Sequence, residues 1–183
     1  MPNWNDVLQE IEQRRQNGEP AALDVVRREY LRKLYEHSGR NVIAYYSGFL
    51  SKPGIAQLEI NDEDKNGFMM AIHRLDRAKG LDLILHTPGG SIASTQSIVQ
   101  YLQQMFDGNI RAIVPQIAMS AGTMIACSCR EIWMAKHSNL GPIDPHLNAI
   151  PAYGVIREFR RACREIKKDP SRIPIWQQII GQY

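Results

Sequence analysis

Cysteine is scarce in this sequence. There are three among 183 residues, Cys127, Cys129 and Cys163, with no regular spacing. That argues against a disulfide framework and fits a reducing compartment. The Cys127-x-Cys129 spacing is too short for the usual zinc pair and falls in an apolar helical stretch. Both read as buried small residues, and no metal or other cofactor is expected. Long apolar runs are missing too. None approaches the ~18 residues of a membrane span, and the N-terminal MPNWNDVLQEIEQRR is not a signal peptide. The expectation is a cytoplasmic protein with no membrane span. Nor does one sign of charge dominate: 22 Lys and Arg against 19 Asp and Glu leave a net charge of +3. That is too small to argue for a nucleic-acid partner, and the basic run from Arg157 to Lys168 reads as a solvated helix face. Internal repeats and low-complexity segments are absent.

What is present is a regular alternation of strands and helices. Trp4, Val7, Leu8 and Ile11 form one stripe of a helix over 3–17, capped by Asn3 or Asn5, and Asn17-Gly18-Glu19-Pro20 breaks it. A second helix runs from about Ala21 to His37, with Leu23, Val26, Tyr30 and Leu34 on one side and Ser38-Gly39 at its end. These two helices form an appendage over 1–40, placed to pack on the core or on a partner subunit. An α/β domain follows over 41–183. Asn41 to Phe49 is β-branched and aromatic and reads as a strand, with Pro53-Gly54 in a loop. Asn61-Asp62-Glu63-Asp64 places acids at the start of a helix reaching about Lys79, with Phe68, Met69, Ile72 and Leu75 as its apolar face. Strands are expected over 81–86, 110–115 and 131–135, and helices over 92–106, 120–128 and 153–168. The fold class is therefore α/β, with a largely parallel sheet and flanking helices, preceded by two N-terminal helices. The tail, IPIWQQIIGQY, is apolar and ends without a cap, which suggests that the domain is C-terminally incomplete.

Two turns carry the chemistry. The strand Leu81–His86 runs into Thr87-Pro88-Gly89-Gly90-Ser91, and the strand at 110–115 runs into Ala118-Met119-Ser120-Ala121-Gly122-Thr123. Parallel neighbours bring both helix N-termini to one end of the sheet, where ligands bind in open α/β folds. The glycine pair lets backbone approach a ligand closely. It is neither a dinucleotide fingerprint nor a P-loop, because the third glycine and the Lys-Ser/Thr are missing. Ser120 reads either as a helix N-cap or as a nucleophile on a sharp strand-to-helix turn. Taken together, one turn supplies a nucleophile and its neighbouring N–H, and the other supplies the second N–H of an oxyanion hole. Gly89 and Ser91 are then the backbone positions that border the substrate.

T-P-G-G-S, followed about thirty residues later by A-M-S-A-G-T and then by L-G-P-I-D-P, resembles the serine dehydrogenase proteinase family. That family is similar to signal peptide peptidase A and to the Clp proteolytic subunit, within the Clp/crotonase-like fold. The resemblance covers roughly Ile60 to Pro145. It implies Ser120 as nucleophile, Gly90 and Ala121 as oxyanion-hole donors, a peptide or protein substrate, and self-assembly into a homo-oligomer. Relatives take the nucleophile's proton on a histidine in the loop after the next strand, or on a lysine further on. In Clp subunits the histidine precedes a residue-proline pair; here Ile143 stands at that place, before Asp144-Pro145. The base is assigned to His146, in the same loop, then to His137, and third to a lysine. Asp144 either orients a histidine or caps the loop. Lys136 adjoins a strand end, and Lys167 and Lys168 lie roughly 20 Å from the start of their helix.

The expected activity is that of a serine endopeptidase working through an acyl-enzyme on Ser120. Two alternatives stand beside it. One is a non-catalytic oligomeric module that keeps the fold without a base. The other is a crotonase-like acyl-CoA enzyme, for which the sequence offers no CoA signature and no placed glutamate pair.

Overall fold

The computed structural model describes residues 3–52, 54–55, 58–147 and 150–182. Pro53 of the expected loop, Asn148 and Ala149 of the crossing loop, and Tyr183 of the tail lie outside the described residues. Four strands form one parallel sheet in the order β1 (Asn41–Tyr46), β2 (Leu81–His86), β3 (Ile110–Val114) and β5 (Glu131–Met134). A short parallel pair, β4 (Ile117–Ala118) with β6 (Asn139–Leu140), crosses the C-terminal end of this sheet.

Alternation fixes the core. Leu81, Leu83 and Leu85 of β2, with Ala112 and Val114 of β3, face the helices α3 (Asp62–Ile72), α4 (Ile92–Phe106) and α5 (Ala121–Ser128). Phe68 and Ile72, Ile98, Leu102 and Phe106, and Ile125 close that layer. Fully burying one such side chain contributes about 1.5–3 kcal/mol. The opposite face carries Asp82, whose carboxylate is fully buried between Arg40 and Arg111. Arg111 in turn stacks on Trp133 of the edge strand, 3.6 Å from the ring centroid.

The N-terminal helices, α1 (Trp4–Gln16) and α2 (Ala22–Ser38), form a hairpin over Ile11, Ala22 and Val26. Arg14 ties it by ion pairs to Glu10, Glu19 and Glu29. Asn3 supplies a capping box for α1, and Gly39, in the left-handed region, ends α2.

The structure corrects several expectations. Trp4, Leu8 and Leu23 are exposed, so the apolar stripes of the two helices are only partly used. The helix after the acid cluster stops at Ile72, and a separate 3-10 turn covers Arg77–Lys79; Met69 points to solvent. The first strand ends at Tyr46, three residues short of Phe49. The crossing loop contains the hairpin of β7 (His146–Leu147) and β8 (Ile150–Pro151). The tail forms a helix, α7 (Ile173–Ile180), because Pro174 sits in its first turn, where no N–H is required. It packs against α6 (Ala152–Lys168) through Trp176 and Ala162.

The cysteines are not all buried. Cys127 and Cys163 are exposed and Cys129 is half-buried. Burial pushes the Cys129 thiol up to about 11, so it carries little thiolate near neutral pH. Iodoacetamide at about pH 8, below the ordinary thiol range, is expected to alkylate Cys127 and Cys163 well before Cys129, as read by peptide mass mapping.

Candidate active site

The two turns meet backbone to backbone. The Thr87 N–H donates to the Ile117 carbonyl at 3.2 Å, and the Met119 N–H donates to the Thr87 carbonyl at 3.0 Å. Beyond Thr87 the chain folds back under Thr87 Oγ1, which accepts the Gly89 N–H at 3.1 Å. Ile60 then straps the glycine turn from outside. Its N–H donates to the Gly89 carbonyl at 2.8 Å, and its carbonyl accepts the Ser91 N–H at 2.9 Å. The Ser91 hydroxyl accepts the Ser94 N–H as the cap of α4.

Both glycines are required by contact as well as conformation. Gly89 has φ +106°, and a Cβ there would lie 2.7 Å from Ser120 Cβ and 3.2 Å from the Ala121 nitrogen. A Cβ on Gly90, at φ +156°, would lie 2.3 Å from the Ile60 nitrogen. The glycine turn therefore sits directly against the Ser120–Ala121 peptide. Gly89→Ala is expected to push the two turns apart, costing about 1–3 kcal/mol of stability. It should also reduce any Ser120-dependent activity by about 10²–10³, the loss associated with a displaced anion donor. Urea unfolding and active-site labelling read the two effects separately.

Ser120 occupies the position before α5, yet it does not cap the helix. Its side chain makes no cap hydrogen bond, and among the described residues its hydroxyl has no hydrogen-bond partner. Its backbone stands at φ +49°, ψ −114°, a region that L-residues rarely enter. The neighbouring Gly122 is pressed on Thr87, where a Cβ would come within 2.4 Å of Thr87 Cγ2. Among the described residues, the Gly90 and Ala121 N–H groups donate no hydrogen bond, whereas those of Gly89, Ser91 and Gly122 do.

A second tether fixes the elbow to the following loop. Buried Thr123 donates its hydroxyl to the Ala118 carbonyl at 2.7 Å and accepts the Gly141 N–H at 3.0 Å. Gly141 lies on Met119, where a Cβ would fall 2.7 Å from Met119 Cε. The loop Gly141-Pro142-Ile143-Asp144-Pro145 therefore leaves directly from the elbow.

The structure brings Gly89, Gly90, Ser91, Ser120 and Ala121 together. Among the described residues, no base is hydrogen-bonded to Ser120. His137 and His146 are exposed, and neither ring makes a hydrogen bond among the described residues. His146 lies five residues past Gly141, a reach of up to about 17 Å of extended chain. Asp144 and Lys136 are exposed, and Lys167 and Lys168 lie at the far end of α6. Among the described residues, no cluster of His, Cys, Asp and Glu is arranged to hold a metal ion.

The sequence reading gave no role to three residues that join the two turns, Ile60, Thr87 and Thr123, nor to His86 at the end of β2. His86 ends β2, nearly buried, with its ring 5.1 Å from Tyr46 and 5.3 Å from Phe49. Burial lowers its pKa, favouring the neutral imidazole. The only signal for it was its place immediately before the glycine turn.

The profile of the ClpP-like SDH-type serine proteinases matches residues 16–175. The chain belongs to that family. It is similar to two uncharacterized proteins of Methanocaldococcus jannaschii. MJ0137 is 38% identical over 98 residues, which cover 54% of this chain and 34% of the relative. MJ1495 is 31% identical over 110 residues, 60% of this chain and 37% of the relative. The matched part thus spans about a third of the length of these curated relatives. Among solved structures, the ClpP protease catalytic domain of Plasmodium falciparum is similar at 19% identity and a TM-score of 0.38, covering 55% of this chain and 58% of that one. As a member of this family, the chain carries a mostly parallel α/β sheet with flanking helices. Among the described residues no helix is long and apolar enough to cross a membrane.

Proposed function

We propose that Ser120 is the nucleophile of a serine endopeptidase. Its Oγ attacks the scissile carbonyl carbon, and its proton passes to a base, His146 or alternatively His137. The Gly90 and Ala121 N–H groups hold the oxyanion that forms, while Gly89 and Ser91 border the peptide backbone. Collapse of the intermediate breaks the C–N bond; the amine leaves with the proton, and water then hydrolyses the acyl-serine ester. The substrate is a peptide or protein, and the working form is a cytoplasmic homo-oligomer. The observation that carries this reading is the strained Ser120, whose hydroxyl, like the Gly90 and Ala121 N–H groups, has no hydrogen-bond partner among the described residues.

A fluorophosphonate probe tests it. Wild type is expected to be labelled and Ser120→Ala not, with His146→Ala or His137→Ala slowing labelling if that residue is the base. Equal labelling of wild type and Ser120→Ala defeats the reading. The exposed histidines, without hydrogen bonds from their rings among the described residues, favour the second reading, a non-catalytic assembly module. For that module the probe labels nothing, while sedimentation finds a defined oligomer.

A further inference from the structure

Helix α6 divides its circumference by chemistry. At 100° per residue, Val155, Ile156, Phe159, Ala162, Cys163 and Ile166 occupy an arc of about 120°. Arg157, Arg160, Arg161, Arg164, Lys167 and Lys168 occupy the adjacent ~120°. The acids Glu158 and Glu165 lie beyond, and both pair with Arg161. The other five cations form no ion pair among the described residues.

The apolar arc is only half covered. Ala162 is buried against α7, but Ile156 is 48% exposed and Phe159 55%. Between α6 and α7 runs an apolar groove of about 400 Å³, lined by Phe159, Cys163, Ile166, Ile173 and Ile180 among others. Ile173 and Ile175 extend the exposed apolar surface onto α7.

We propose that this face docks on an anionic membrane surface, with α6 lying in the plane of the headgroups. The charge pattern selects that occupant. A nucleic acid would neutralise the cations but leave Ile156 and Phe159 in water. A protein partner would need a row of carboxylates beside an apolar strip. A headgroup layer offers both at once, phosphates for the cations and the acyl boundary for the apolar arc. The long Arg and Lys stems lie along that boundary with their charges in the headgroup region. Exposed Tyr153, in the first turn of α6 and within the basic arc, suits the same interface. This surface is independent of the role proposed for Ser120.

Co-sedimentation with vesicles tests it. Vesicles of phosphatidylglycerol and phosphatidylcholine are compared with vesicles of phosphatidylcholine alone. Binding to the anionic vesicles is expected at ~0.1 M salt, and at least about tenfold weaker binding without anionic lipid or at ~0.5 M salt. The double variant Arg160→Glu/Arg164→Glu, both residues exposed, and the double variant Ile156→Asp/Phe159→Asp should each lose at least about tenfold. Ser120→Ala should bind as wild type does. Circular dichroism confirms that each variant is folded. The proposal is overturned if wild type ignores anionic vesicles, or if binding survives both double variants. It is equally overturned if Ile156→Asp/Phe159→Asp dissolves an oligomer while wild type binds no vesicles, which assigns the face to a second copy.

Discussion

Ser120→Gly is expected to stabilise the protein while removing its reactivity. At φ +49°, ψ −114°, serine sits in a region that glycine enters without a Cβ clash. Such strain is worth on the order of 1–3 kcal/mol. Against it stands the extra backbone entropy of glycine in the unfolded chain, about 0.5–1 kcal/mol. The balance favours the variant by roughly 1 kcal/mol, or about 2–4 °C in melting temperature for a chain of this size. Ser120→Ala keeps the Cβ and therefore the strain, so its melting temperature should stay near that of wild type. Both variants should lose fluorophosphonate labelling, and any peptidase turnover should fall by roughly 10⁴–10⁶. Calorimetry on the three proteins decides the first part: a Gly variant no more stable than the Ala variant would show that the elbow stores no strain.

Asp82→Ala should produce the largest loss of stability, about 3–5 kcal/mol. The Asp82 side chain is 0% exposed. Its Oδ1 accepts from Arg40 Nε at 2.6 Å and from Arg111 Nε at 3.1 Å, and its Oδ2 accepts a second Arg111 bond at 2.6 Å. Removing the carboxylate leaves two guanidinium groups facing each other in a largely buried setting, without a counter-charge. Arg40 also reaches the Leu81 and Asn109 carbonyls and the Asn109 side chain. The disturbance therefore spreads from the start of β1 to the start of β3. Urea unfolding should show a lower midpoint with an unchanged slope. Because the pair is buried, about 0.5 M salt should change the difference little. A loss below ~1 kcal/mol would place the network among surface ion pairs, whose removal is nearly neutral.

The sheet was legible because its signals are local. Leu81–His86 and Ile110–Val114 are short, mainly apolar runs, each entered from a glycine turn, and α4 shows an unbroken helical period from Ile92 to Phe106. The contact of the two turns was legible in outline, since parallel neighbours must end together. What joins them was not. The Ile60 strap bonds residues 29 and 31 positions away, the Thr123–Gly141 tether spans 18, and no periodicity encodes them. Asp82 was invisible for a related reason: one acid in an apolar strand looks like a surface position until Arg40 and Arg111 converge on it. The exposed stripes of α1 and α6 mark the limit of amphipathic patterning, which gives the apolar side of a helix but not whether anything covers it. For the base, neither histidine has a local signal that separates it from a solvated loop residue.

The glycine turn wedged against the elbow has a consequence for how this site would fail. Thr87 and Met119 share a ladder across the two turns, and Gly89 leaves no space between them, so neither turn can open alone. A local unfolding that loosens α5 also disperses the Gly90 N–H. Heat, denaturant or a destabilising substitution elsewhere would therefore lower the number of intact sites rather than the quality of each. A partly inactivated sample would behave as a mixture of whole and absent centres, with the affinity of the survivors unchanged.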